Sequence, residues 1–491
     1  MSTPLWGYVC QIKINNMKIR NHYLGILLLS FIFFSCSNNK KEQLNNTKLE
    51  SNFTYNKVSG AEFPKLNIAG FHFPEDSSRI NQWIHSGKND SLYLHSWGIW
   101  TGITSKTTQF ISSDSKALRV FETWLTPEEM IDSIKGLPIK RSNRANLKMP
   151  HQFTHFLSEE QSVNDSIHES VAYSPGAADF AIKNKIFMAT TLYNLGKLEQ
   201  KKEIPFFPAN TITIKPVFKL LPTSNGQTLF KIASWNGTIQ ELRAYPESAW
   251  STSVTVDITN INREEGSIFG INNFIHYKLN DEDAYFFNKE FSENEQNKFN
   301  AKAGDIAILV GMHVSTREIT NWTWQTFWWT PDANNPPSPS SKAIAKMRPK
   351  ELKGAPEHYA MAVAYYMVNP NEPYDGTNVL GRANYAFNPY LEAGFGPNVF
   401  DKSLSYISTS TTQKLPTYAG VRTNCMSCHR MASVDPNSLY KVNNSNTPYV
   451  GNAYISHSDT IFKNQLLTDF AWSVQANVDT TGITEFIKKS K

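Results

Sequence analysis

The chain contains 491 residues, of which 40% are hydrophobic, 13% aromatic and 19% charged, and its formal net charge at pH 7 is +5. This length is enough for about two or three domains with hydrophobic cores. The net charge is small for such a length, so the composition argues against a nucleic-acid partner.

The N-terminus has the pattern of an export leader. Lys18 and Arg20 follow Met17, and residues 24–34 form an apolar run that is short for a membrane-spanning helix. The run ends at Cys36 in a sequence that resembles a bacterial lipobox. We therefore predict that Met17 is the true start and that residues 1–35 are a leader cleaved before Cys36.

In this interpretation Cys36 is lipidated and anchors the exported protein to a membrane, facing the periplasm. Residues 36–60 are polar, which predicts a flexible tether. Ser37 follows the anchor, and this pattern is similar to that of lipoproteins sorted to the outer membrane. Loss of the leader's three basic residues lowers the net charge from +5 to +2. The alternative is an ordinary leader with a chance cysteine.

Residues 61–330 alternate between strand-like and helical patterns. Apolar side chains recur at every second position in residues 211–220, 253–258 and 305–310, which predicts half-buried antiparallel strands. Pro216 suggests that the first of these strands lies at an edge or ends there. We predict an α+β region, rich in antiparallel strand, of one or two domains.

Two helices are predicted in the same region. Thr126 and Glu129 form a capping box with Pro127 at the first helical position, and Gly136 marks the end of this helix. A second helix is predicted over residues 174–196, where apolar side chains recur at helical spacing before a glycine.

Two further features each have a ligand-binding and a structural interpretation. Aromatic side chains that could stack on a ligand occur at Trp97, at Trp100 and in the cluster at 322–329. Since β-rich cores favour aromatic residues, we expect these side chains to fill the hydrophobic core. His151 and His155 are spaced like metal ligands on a helix, yet no third ligand follows at a recognisable spacing, which favours a solvated pair. The sequence contains no Walker A, HExxH or GxSxG motif.

Residues 331–345 are rich in proline, asparagine and serine, which predicts a linker. This stretch separates the strand-rich region from a C-terminal region, residues 346–491. That region contains the most distinctive motif of the chain.

The motif is Cys425, Cys428 and His429 in a CxxCH pattern. Two thiols three positions apart on one helical turn can both add to the vinyl groups of a porphyrin, and the next imidazole can bind the iron. We therefore predict one covalent haem c, with His429 as the proximal ligand, attached after export by the cytochrome c maturation machinery. The alternatives are a redox CxxC and half of a zinc site, but no second CxxC or βαβ pattern accompanies the motif.

The C-terminal region resembles class I cytochromes c, which implies a small, mainly helical haem module with a methionine as second axial ligand. No methionine follows Met431 in this chain, although residues 461–474 have the apolar spacing of a terminal helix. Three arrangements stay open. In the first, His457 completes a bis-histidine site, and in the second the sixth position of the iron is vacant. In the third, the larger region donates a ligand from this set: Met312, His313, His358, Met361 and Met367.

Over most of its mature length the chain resembles a group of large bacterial proteins classed only as cytochrome c family members. The resemblance is carried by residues 310–329, residues 388–392 and the segment VRTNCMSCHR at 421–430. It implies that both regions belong together. We predict a periplasmic electron carrier with a redox partner; the alternative is a haem-dependent oxidoreductase or peroxidase whose N-terminal region binds a substrate.

Overall fold

The computed structural model describes residues 58–111, 114–139, 167–198, 202–237, 243–289, 300–369, 382–396, 399, 419–439, 451–452, 454, 456–458 and 460–489. The predicted leader and anchor at Cys36, most of the predicted tether, and the pair His151 and His155 lie outside these residues. Within the described ranges, no helix has the length and apolar character needed to cross a membrane.

The helices and strands of the described ranges are short, apart from α2 and the central strands. The helices are α1 Ser77–His85, α2 Asn89–Thr104, α3 Pro127–Ile134, α4 Pro175–Asn184, α5 Ala189–Gly196, α6 Asp281–Lys289, α7 Lys342–Lys346, α8 Cys425–His429, α9 Trp472–Ala476 and α10 Ile483–Lys489. The strands are β1 Lys106–Ile111, β2 Asp114–Arg119, β3 Ile167–Glu169, β4 Ala172–Tyr173, β5 Ile212–Leu221, β6 Leu229–Ser234, β7 Thr252–Asp257, β8 Glu264–Glu265, β9 Ile268–Gly270, β10 His276–Lys278, β11 Ile306–Thr316, β12 Thr323–Trp329, β13 Tyr359–Ala364, β14 Val368–Asn369, β15 Arg382–Ala383, β16 Ser433–Val434 and β17 Leu466–Leu467.

A seven-stranded sheet organises the fold. Its main path runs β13-β12-β11-β5-β3, with β10 beside β11 and β4 beside β5. The pairings in this sheet are antiparallel. A second sheet has the order β6-β7-β9-β8, in which β7 and β9 are parallel. The predicted α+β class, rich in antiparallel strand, is confirmed.

Local sequence rules explain several elements. The three predicted strands are confirmed in position as β5, β7 and β11, but β11 is buried on both faces and not half-buried as predicted. Helix α3 begins at the predicted capping box, in which Glu129 Oε2 accepts from Thr126 N at 2.8 Å. Pro216 is interior to β5, contrary to the predicted edge or strand end. It is tolerated there because the neighbour of β5 changes from β3 to β4 at that point, leaving a gap in the ladder.

Two predicted helices are wrong in extent. The helix predicted over residues 174–196 is split into α4 and α5, because Lys185 adopts a left-handed conformation with φ of 51°. The terminal helix predicted over residues 461–474 is replaced by a 3₁₀ turn, the strand β17 and the start of α9. Left-handed backbone at Asn464, Asp469 and Phe470 interrupts the helical path, and β17 pairs with β16 instead.

The two faces of the main sheet have different partners. On one face Phe327 of β12 stacks on Trp100 of α2, with ring centroids 4.2 Å apart. On the other face Trp324 of the same strand contacts His429 of α8, with ring centroids 4.0 Å apart. Trp97 and Trp100 are fully buried, so these aromatics fill the core as expected.

The predicted linker joins two neighbouring strands. Strands β12 and β13 flank residues 331–345 and pair over six residues, from Trp324 opposite Ala364 to Trp329 opposite Tyr359. The described residues on both sides of this stretch therefore contribute to one sheet. The C-terminal region beyond β13 contains short helices and two-stranded pairs that pack against it.

Candidate haem-binding site

Helix α8 carries the CxxCH motif and is held from its N-terminal side by Asn424. The Asn424 Oδ1 atom caps the helix by accepting from Met426 N at 3.0 Å. Its amide nitrogen donates to Asn384 O at 2.6 Å and to Tyr366 O at 3.1 Å. Asn424 is fully buried, so a single side chain joins the motif to two other segments of the chain.

The side chains of α8 divide by exposure. Met426 and Ser427 are fully buried, whereas Cys425, Cys428 and His429 retain partial exposure. Both cysteines carry free thiols. Since positions i, i+3 and i+4 share one side of a helical turn, the three residues that a covalent haem needs lie together on the accessible side.

Both thiols lie in surroundings that disfavour the thiolate. Cys425 Sγ donates to Ala386 O at 3.2 Å. Burial raises the pKa of Cys425 well above its usual value and raises the pKa of Cys428 to about 12, and the charge of Glu392 adds to both effects. Redox-active CxxC thiols have lowered pKa values. The environment of this pair is therefore unlike that of a thiol–disulfide catalyst.

The His429 imidazole is oriented by the backbone. Its Nδ1 donates to Phe470 O at 2.8 Å, which leaves the lone pair on Nε2. Burial lowers the pKa of His429 to about 3, so the ring is neutral at physiological pH; the hydrogen bond to Phe470 opposes this shift, and the nearby His313 and Lys215 add to it. Packing against Trp324 fixes the plane of the ring.

The Phe470 carbonyl belongs to an unusual turn. Asp469 and Phe470 both have left-handed backbone, with φ of 46° and 64°, a conformation that is costly for a bulky side chain. The Asp469 carboxylate accepts from Phe207 N at 3.0 Å, from Arg317 Nε at 3.2 Å and from Trp322 Nε1 at 3.1 Å. These three donors, from outside the turn, hold the backbone that aims the carbonyl at His429.

The sheet supplies the other wall of the site. Asn388 Nδ2 donates to Thr326 Oγ1 at 2.9 Å, and Asn388 N donates to Glu392 Oε2 at 2.6 Å. The second carboxylate oxygen of Glu392 lies 2.6 Å from His313 Nε2. His313 is directly opposite Thr326 in the sheet, so it lies on the same sheet face as Trp324, the face that carries the motif.

His457, the tentative second axial ligand, lies at the C-terminal end of α8. Its Nε2 donates to Arg430 O at 3.2 Å, and its ring meets Phe462 edge-on with centroids 5.3 Å apart. The role of His457 as a ligand stays a prediction.

The structure separates the other candidate donors. Met312 and Met361 both pair with Phe327 and therefore lie on the sheet face turned towards α2, away from the motif. Met367 is fully buried just beyond β13, and His358 lies in the turn that precedes β13. Among these five donors, the described contacts place His313 on the motif side of the sheet.

The residues present fit a covalently attached haem. Cys425, Cys428 and His429 lie on one accessible side, and the Phe470 carbonyl occupies Nδ1 while leaving Nε2 for iron, as is usual for metal-binding histidines. In the described ranges, no group of three or more His, Cys, Asp or Glu side chains is arranged to hold a metal ion. A porphyrin supplies four nitrogen ligands itself, so a haem iron needs only one or two from the protein.

Sequence reasoning missed the residues that position the motif. Asp469 and Phe470 have no recognisable spacing relative to the motif, because they reach it through tertiary contacts. Asn424 directly precedes the motif, and an asparagine at the start of a helix is a local N-cap signal that could have identified it. Trp324 and Glu392 lie in residues 310–329 and 388–392, two of the segments on which the predicted resemblance to cytochrome c family proteins was based.

Comparison with known proteins gives no relative: no family model, curated protein or solved structure matches the chain.

Proposed function

We propose that the chain is a membrane-anchored c-type cytochrome that transfers single electrons in the periplasm. Cys425 and Cys428 would hold one haem through thioether bonds, and His429 Nε2 would bind its iron. The haem-bearing part of the chain is the segment around α8 that packs on the main sheet. The anchor would be the lipidated Cys36, at the outer membrane.

One observation carries this proposal. Within α8, Cys425, Cys428 and His429 are the residues that keep exposure, while Met426 and Ser427 point into the core. Helical geometry puts the three residues on one side of the turn, and the fold leaves that side partly accessible while it buries the other. The hydrogen bond from His429 Nδ1 to Phe470 O adds support, because it selects the tautomer that a haem iron requires.

The protein groups around the site suit electron transfer. When bound, the haem supplies an iron centre that takes up and releases single electrons. Phe470 and Trp324 hold the His429 ring in one orientation, so little rearrangement accompanies a change of charge. Trp324 also excludes water from one side of that ring.

Haem attachment can be tested directly. The full chain, with its leader, should be produced in a bacterium that has the maturation machinery, denatured, and extracted with acidic acetone. We expect haem to stay on the polypeptide and to be lost in a variant with Cys425→Ala and Cys428→Ala. Ser427→Ala, in the same helix, is the matched control and should keep its haem. Extraction of the haem, or a matured chain without iron, contradicts the proposal.

A haem-dependent oxidoreductase or peroxidase is the second candidate function. The observation that favours it is the pair His313 and Glu392, which faces the motif and has the chemistry of a proton donor and acceptor. In that case the sixth position on the iron is open. Binding of cyanide and turnover of peroxide by the wild-type haem protein would support this second function over electron transfer.

A further inference from the structure

We propose that His313 is the second axial ligand of the haem iron, binding through Nδ1. This inference rests on the proposed c-type haem site and names the residue that closes it. The carrying observation is a buried imidazole on the motif side of the sheet. A carboxylate fixes one of its nitrogens, and the other has no partner within the described ranges.

Strand register determines which way His313 points. Side chains alternate between the two faces of a strand, and residues paired across the sheet share a face. His313 pairs with Thr326 on one side and with Lys215 on the other. Thr326 bonds to Asn388, and the neighbouring Trp324 of the same face contacts the motif histidine, so His313 faces the C-terminal segment.

Glu392 sets the tautomer of His313. A carboxylate oxygen can only accept, so the 2.6 Å contact places the proton on His313 Nε2. Glu392 is itself held by the backbone N–H of Asn388 at 2.6 Å. When this ring is neutral, its lone pair is therefore on Nδ1.

Among the residues that the structure describes, His313 Nδ1 has no hydrogen-bond partner. His313 is 8% exposed, and its Nδ1 is buried without a hydrogen bond. A buried polar atom in that state calls for an explanation, such as an ion or ligand that it meets. A neutral imidazole whose other nitrogen donates to a carboxylate has the usual arrangement of a metal-binding histidine.

The surroundings place the His313 side chain beside the haem attachment site. His313 lies on the sheet face of Trp324, whose ring centroid is 4.0 Å from that of His429. Its partner Glu392 lies in the same segment as Ala386, whose carbonyl accepts from Cys425 Sγ at 3.2 Å. The neighbouring donor Met312 is less suited, because it lies on the opposite sheet face.

The test uses the matured full-length haem protein. Its absorption, electron paramagnetic resonance and near-infrared magnetic circular dichroism spectra are recorded. We expect the wild type to be low-spin, to show the charge-transfer bands of two histidine ligands and to resist carbon monoxide. His313→Ala should become high-spin and bind carbon monoxide, and added imidazole should restore the low-spin spectrum. Met312→Leu and His457→Ala are matched controls and should resemble the wild type.

Two results overturn the inference: a low-spin spectrum that persists unchanged in His313→Ala, or a wild type that is already high-spin and binds carbon monoxide. If His313→Ala does not accumulate, His313→Met replaces it, and unchanged near-infrared bands in that variant refute the assignment. Absence of covalent haem from every variant is a different outcome, since it contradicts the proposed function itself. Covalent haem with unaltered spectra contradicts only the role of His313.

Discussion

Replacing Asp469 with asparagine should reveal what the left-handed turn beside His429 does. Asn tolerates left-handed backbone as well as Asp does, so Asp469→Asn adds no backbone strain and removes only the charge by which the three donors hold the turn. The Asp469 side chain is 2% exposed and its partner Arg317 is 13% exposed. The substitution leaves the Arg317 guanidinium largely buried without its counter-charge.

The expected loss of stability in Asp469→Asn follows from the burial of this ion pair. Desolvation raises the pKa of the Asp469 carboxyl, although Arg317, Phe207 N and Trp322 act to lower it. The ion pair therefore contributes more to the geometry of the turn than to net stability. Breaking a buried pair from one side typically costs about 3–5 kcal/mol, and we expect a smaller loss here because burial already disfavours the Asp469 carboxylate. Removing both charges with Arg317→Gln in addition should recover part of this loss, with a coupling energy of about 0.5–3 kcal/mol.

Urea unfolding of the two single variants and the double variant measures the coupling. The reduction potential of each matured protein gives a second measurement that stability alone does not change. A weaker hydrogen bond from His429 to Phe470 makes the imidazole a poorer donor to iron, so we expect the potential to rise in Asp469→Asn. Strictly additive losses of stability, together with an unchanged potential, would refute the positioning role of Asp469.

Three other predictions concern different parts of the molecule. A Cβ on Gly311 would lie 2.8 Å from Asn388 Nδ2, so Gly311→Ala should lower the free energy of unfolding, measured in urea, by about 1–3 kcal/mol. An unchanged free energy of unfolding would mean that the Asn388 side chain can move away from the new methyl group. Burial lowers the pKa of His168 to about 3 from 6.5, so the folded protein keeps this ring neutral and stability should fall as the pH drops from 6.5 towards 3. His168→Leu should flatten that dependence, and an unchanged slope would assign the proton uptake to another group. Cys36→Ala should move the exported protein from the membrane fraction to the soluble fraction, and retention on the membrane would exclude a lipid anchor at this residue.

Much of the local structure was predictable because short-range rules decide it. The capping box at Thr126 and Glu129 satisfies the first backbone donors of α3 wherever the helix lies in the fold. Alternation of apolar side chains likewise identified β5, β7 and β11. The pattern failed over residues 461–474, because pairing of β17 with β16 overrides apolar residues spaced four apart.

The sequence by itself determined the chemistry available at the motif, since the spacing of Cys425, Cys428 and His429 on one turn depends only on neighbours in the chain. It left open which donors from the larger region face that motif. Adjacent residues such as Met312 and His313 differ by a single step in the chain, yet a strand directs them to opposite faces of the sheet. Only the register of β11 against its neighbours, fixed by burial on both faces, decides between them.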